Sequence, residues 1–119
     1  MNLTQKQIDF INENEWVVFA TASNTGNPRA AVVMPSRVEP DRIILSNVQM
    51  GKSEKNIREN GQAFISSYKG DTQIKVSGMA KYQDSGTLFE EIRDFEATRD
   101  ADVKGIIILN IQEIEQTEG

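Results

Sequence analysis

At 119 residues the chain has the length of one domain, enough to bury about two-thirds of its unfolded surface on folding, and its 38% hydrophobic and 26% charged residues suit a soluble globular protein. A net charge of −5 lacks the broad basic footprint that nucleic acid requires. The absence of cysteine and of histidine removes disulfides, thiolate zinc sites, cysteine nucleophiles and imidazole-based triads together.

If the protein is an enzyme, a bound cofactor is therefore expected to supply the chemistry. The N-terminus lacks the apolar core of a signal peptide and no apolar run is long enough to span a bilayer, so the expectation is a cytoplasmic protein with no membrane partner.

Thr4-Gln5-Lys6-Gln7 has the form of a capping box, and Ile8 and Ile11 follow at helical spacing, which predicts a short helix over residues 5–13. The β-branched and aromatic run Trp16 to Ala22 reads as a strand, and Asn24-Thr25-Gly26-Asn27-Pro28 as a hairpin turn after it. Arg29 to Val38 is the return strand, in which Pro35 demands an edge, a bulge or a bend because it has no N–H. A turn at Glu39-Pro40-Asp41 leads to a third strand, Arg42 to Asn47.

The next stretch, Ser46-Asn47-Val48-Gln49-Met50-Gly51-Lys52-Ser53-Glu54-Lys55-Asn56-Ile57, concentrates hydroxyls, amides, two lysines and a helix start. Unpaired N–H groups and partial positive charge at a helix N-terminus attract a phosphate. Lys52 and Lys55 are poorly placed there on helix grounds alone, and an anion would repair the mismatch. A nucleotide P-loop is disfavoured, since its first glycine would fall at Ser46 and no alternating βαβ pattern surrounds it. The plainer alternative is that Ser53 caps the helix and the lysines are solvated.

Asn60-Gly61 stops that helix, and Ala63 to Tyr68 is a strand that turns at Lys69-Gly70-Asp71. In the following strand Ile74, Val76, Gly78, Ala80 and Tyr82 share one face, with Gly78 marking a bend or a close backbone approach. Thr87-Leu88-Phe89-Glu90 has the form of a second capping box, with Leu88, Phe89, Ile92 and Phe95 on one side of its helix. Gly105 to Ile111 is apolar on both faces, so it is expected to be covered by a barrel interior on one side and by a helix or second subunit on the other. The sum is a mainly β (α+β) fold, a six-stranded antiparallel barrel with flanking short helices.

Other residues carry less. Arg29 and Arg37 are either surface charges or cations aimed at a cofactor, and Trp16 is core or interface. Asp94, Glu96, Asp100 and Asp102 read as a solvated acidic face rather than a metal cluster.

Taken together, Val18-Phe19-Ala20-Thr21-Ala22, Gly26-Asn27-Pro28-Arg29, Arg42-Ile43-Ile44-Leu45, Lys52-Ser53-Glu54-Lys55-Asn56-Ile57 and Val76-Ser77-Gly78-Met79-Ala80 resemble, in order and spacing, the FMN-binding split barrels, which include relatives of pyridoxamine 5′-phosphate oxidase. The likeness spans about Gln7 to Ile114 and is nearest to the small FMN-binding proteins. It implies a homodimer with one FMN per subunit near the interface. The isoalloxazine would lie beside Arg29, Val32, Val33 and Met34, and the phosphate against Ser46, Asn47, Lys52 and Ser53, with Asn56 supporting the loop and Val48 also among the cofactor-binding residues.

The long C-terminal extension and the arginine and histidine substrate set of full pyridoxamine-phosphate oxidases have no counterpart, which argues against vitamin B6 oxidation. Pro35-Ser36-Arg37 also departs from the residues some relatives place beside the ring. The implied activity is that of an NAD(P)H-linked flavin reductase or related oxidoreductase. The alternatives are a non-enzymatic FMN carrier or electron-transfer protein working with a redox partner, and a barrel that prefers a deazaflavin or has lost its ligand.

Overall fold

A computed structural model describes residues 1–118. The elements are α1 (Gln5–Asn14), β1 (Val17–Ala22), β2 (Pro28–Val33), β3 (Arg37–Val38), β4 (Arg42–Asn47), α2 (Gly51–Asn60), β5 (Gln62–Lys69), β6 (Thr72–Gln83), α3 (Thr87–Ala97) and β7 (Gly105–Glu118). All seven strands join one antiparallel sheet in the order β2-β1-β5-β6-β7-β4-β3.

The expected count of six strands becomes seven because Pro35 divides the second one. Its two pieces do not stay together: β2 and β3 form opposite edges of the sheet. Only Met34, Pro35 and Ser36 separate them, a link that can span at most about 14 Å. The sheet must therefore curl until its edges nearly meet, and at the far end of the link the Ser36 N–H donates to Ile44 O of β4 at 2.9 Å, beside the β3–β4 pairing. The result is a barrel closed along one line by chain rather than by a full hydrogen-bond ladder.

The inside is filled by alternate residues of the long strands. Phe19, Ile43, Leu45, Ile65, Val76, Ile107 and Leu109 are all essentially inaccessible to solvent. The other face of β7, with Ile106 and Ile108, packs under Phe89 and Ile92 of α3 and Val103, so a helix provides the second cover that the doubly apolar strand required. Phe95, placed on that apolar side from sequence, is instead 46% exposed.

At the helix ends, the Thr4 box forms as expected, with Gln7 N donating to Thr4 Oγ1 at 3.1 Å and Thr4 N to Gln7 Oε1 at 3.0 Å. The second box does not form. Gly86, at φ 98°, takes the cap position of α3, and Thr87 becomes its first helical residue. Likewise α2 begins at Gly51 after a Met50 cap, so Ser53 lies inside the first turn and caps nothing. Among the described residues no helix is long and apolar enough to cross a membrane.

Gly78 meets the requirement read from its sequence position. The register of β6 against β7 shifts between Ser77 and Gly78, leaving Gln112 as an extra residue, and a Cβ at Gly78 would sit 2.0 Å from the Asn110 carbonyl oxygen. Gly78→Ala is expected to cost about 1–3 kcal/mol through this overpacking, read as a lower urea midpoint with an unchanged slope.

Tyr82 is packed as closely against Gly105, where a Cβ would be 2.2 Å from the phenol oxygen. Burial pushes the Tyr82 phenol above its usual range, more than the hydrogen bond from Asn47 lowers it. A folded-state value above the unfolded one means this stabilisation is complete below the unfolded value of about 10 and is lost as pH rises through the higher folded value. Urea midpoints should therefore fall above about pH 10, and less steeply in Tyr82→Phe.

Candidate functional site

The loop after β4 is organised by Asn47, which is 2% exposed. Its Nδ2 donates to Glu54 Oε1 and to the Tyr82 hydroxyl, each at 2.8 Å, and its Oδ1 accepts from Met50 N at 2.8 Å. The Asn47 carbonyl accepts from Lys104 N at 2.9 Å. Glu54 also receives the Arg58 Nε at 3.0 Å, and Arg58 lies 4.3 Å over the Tyr82 ring. These contacts hold the start of α2 against β4 and β6. They also engage the acidic residue of the first turn internally, which leaves the lysines of that turn free of it.

Asn56, also buried, donates through Nδ2 to Thr21 Oγ1 at 3.0 Å and ties the middle of α2 to β1. Thr21 stands opposite Arg29 in the β1–β2 register, so Arg29 lies on the sheet face that meets α2. Arg29, Lys52, Lys55 and Asn56 accordingly line one cleft of about 290 Å³, completed by Ser23, Asn27 and Pro28 from the hairpin. Among the described residues neither Arg29 nor Lys52 pairs with a carboxylate, and Lys55 reaches Glu59 only at 3.9 Å. Arg37, by contrast, is paired with Glu91 at 2.5 Å and belongs to the surface. Three cations around a recess with no acidic lining are the kind of arrangement that suits an anion.

A second cleft, of about 500 Å³, lies on the seam further along β2. Ala31, Val32, Val33 and Met34 form one side, and Ser46, Val48, Gln49 and Met50 the other. Trp16 and Glu96 complete it. The volume is in the range of small-molecule pockets. Trp16 and Val32 are 56% and 65% exposed, so large apolar surface is available to an occupant or a neighbouring chain. Ser46 is bonded through Oγ to Ser36 Oγ at 2.5 Å. A larger recess of about 520 Å³ around Ile11, Glu15 and Arg99 touches this one through Met34, but contains no other residue read from sequence as cofactor-binding.

Of the ten residues read as cofactor-binding, Arg29, Lys52 and Asn56 meet in the cationic cleft. Val32, Val33, Met34, Ser46 and Val48 meet in the apolar one. Asn47 and Ser53 are buried behind both, and line neither. Two positions change partners relative to expectation: Arg29, expected beside a ring, stands with the lysines, and Ser46, expected by a phosphate, stands on the apolar side.

Sequence reasoning missed Ser23 and Asn27, which enter only because the hairpin folds over α2. It also misread Glu96, whose Oε1 is buried without a hydrogen-bond partner. A signal for Glu96 existed, because it stands four residues after Ile92 and seven after Phe89, on the buried stripe of α3. Among the described residues no group of acidic side chains is arranged to hold a metal ion.

The comparisons with known proteins agree with this architecture. The sequence model of pyridoxamine 5′-phosphate oxidase matches residues 3–118. An uncharacterized protein of Methanocaldococcus jannaschii is 28% identical over 120 residues, covering 96% of this chain and 80% of that protein. HupZ of Group A Streptococcus superposes with a TM-score of 0.88 at 19% identity, covering 98% of both chains. An FMN-binding protein of Syntrophomonas wolfei superposes with a TM-score of 0.79 at 18% identity, covering 92% of this chain and 82% of that one. With nearly its whole length matched, the chain belongs to the pyridoxamine 5′-phosphate oxidase family.

Proposed function

We propose that the protein is a flavoprotein that binds FMN along β2, with the phosphate in the cationic cleft and the isoalloxazine in the apolar one. The observation that carries this reading is that one strand lines both clefts, Pro28 and Arg29 at one end and Ala31 to Met34 at the other. Arg29 and Val32 are separated by about 10 Å of strand, a distance a ribityl chain can bridge. The residues present fit the group: uncommitted cations for a phosphate, an apolar slot for a planar ring, and an unpartnered carboxylate oxygen in the slot's wall.

When bound, FMN supplies hydride and single-electron transfer. The chain's own part is to bind and orient. Lys52, Lys55 and Arg29 hold the phosphate by charge-assisted hydrogen bonds, and the first-turn N–H groups of α2 add to them. Asn47 and Asn56 act from behind, fixing the loop and helix that carry those lysines. Val32, Val33, Met34 and Val48 exclude water from one side of the ring. We read the protein as a homodimer whose second subunit covers the exposed Trp16 and Val32. The reaction class we favour is an NAD(P)H-linked flavin reductase.

Titration of the protein with FMN and with riboflavin tests the phosphate assignment. FMN should bind more tightly, and Arg29→Ala or Lys52→Ala should each weaken FMN about tenfold or more while leaving riboflavin unchanged. Equal affinity for the two flavins would remove the phosphate from this cleft, and no flavin absorbance with either would remove the flavin itself. Steady-state oxidation of NADH or NADPH with a simple electron acceptor is the expected result for a reductase. Lack of turnover with both nucleotides would identify a carrier or an electron-transfer protein.

A further inference from the structure

Glu96 is the one side chain among the described residues with a buried oxygen that has no hydrogen-bond partner. A buried acceptor left unmade costs free energy, so its persistence calls for a partner. Among the described residues no side chain or backbone group is bonded to it. Arg99, one turn further on, lies 4.8 Å over the Phe95 ring instead of pairing with Glu96. The Ser46 hydroxyl in the same cleft is engaged with Ser36. Helix packing holds the carboxylate where it is, since Phe89 and Ile92 on the same stripe of α3 are fixed under β7. The carboxyl group therefore stands in the wall of an otherwise mainly apolar cleft, in need of a donor.

We propose that Glu96 accepts a hydrogen bond from an N–H on the edge of the heterocycle bound in the apolar cleft, which makes it the residue that selects an imide-bearing ring and sets its orientation. This rests on the flavin reading above. In oxidised FMN the only ring N–H is the imide N3–H, so that is the group Glu96 receives. Rotation about the last torsion of a glutamate is soft, and either carboxylate oxygen can turn to meet it. A charged acceptor forms a stronger hydrogen bond than a neutral one, so a ring lacking the donor forfeits that bond and leaves the carboxylate unmatched.

The test pairs a ligand change with a residue change. The wild-type protein, Glu96→Ala and Glu96→Gln are titrated with FMN and with N3-methyl-FMN, which retains the phosphate and ring but has no N–H. Wild type should prefer FMN by at least about tenfold, Glu96→Ala should bind both alike, and Glu96→Gln, which keeps a neutral acceptor, should show an intermediate preference. Without ligand, Glu96→Ala should melt no lower than wild type, because it removes an unpartnered oxygen rather than a bond. FMN bound by wild type with no preference over the methylated form would overturn the assignment alone. A preference that persists in Glu96→Ala, or a clear loss of ligand-free stability in that variant, would also overturn it. Failure of wild type to bind FMN at all would overturn the flavin reading and this assignment together.

Discussion

The structure depends on the missing N–H of Pro35. A segment that would otherwise run as one strand from Arg29 to Val38 cannot continue its ladder through that residue, so it breaks and changes edges. Because only three residues join the two pieces, the opposite borders of a seven-stranded sheet are tied close together. Curling is then unavoidable, and the bulge opposite Gly78 supplies part of the extra twist where β6 and β7 cross the body of the barrel. The line of incomplete closure is also where the apolar cleft opens. A fully laddered barrel would have left no such slot between β2 and the end of β4.

The cationic cleft depends on a different device. Lysines at the start of a helix work against the helix dipole and are usually found beside acidic residues that relieve them. Here the acidic residue of that turn, Glu54, is drawn inward by Asn47 and Arg58. The amide of Asn47 thus serves two purposes: it fixes the loop leading into α2, and it keeps a carboxylate away from the cations. Asn56 and Thr21 then set the helix at the height of Arg29. A residue that touches no ligand can in this way decide whether an anion site exists.

The elements and most of their bounds were legible in the sequence because they rest on local periodicity and turn chemistry. The alternation from Ile74 to Tyr82, the Gly26 turn after β1, the Gly61 stop and the Thr4 capping box are examples. The two failed caps show the limit of that logic. Thr87 and Ser53 have the right side chains, but each helix begins before its expected cap, at a backbone position the preceding loop dictates. Part of the cationic cleft was legible for a related reason, since Lys52, Lys55 and Asn56 are neighbours at one helix start.

What the sequence by itself determined is the set of strands and helices, the absence of thiol and imidazole chemistry, and the loop carrying the cations. Tertiary structure alone decided how these are distributed in space. It moved Arg29 to the lysines and Ser46 to the apolar slot, brought Ser23 and Asn27 over α2, and turned the carboxylate of Glu96 into the cleft wall. Those placements follow from the edge switch at Pro35 and the docking of α3 on β7, which are contacts between residues far apart in the chain. Periodicity reports which face of an element is apolar. It does not report which other element will meet that face, and the site is made where they meet.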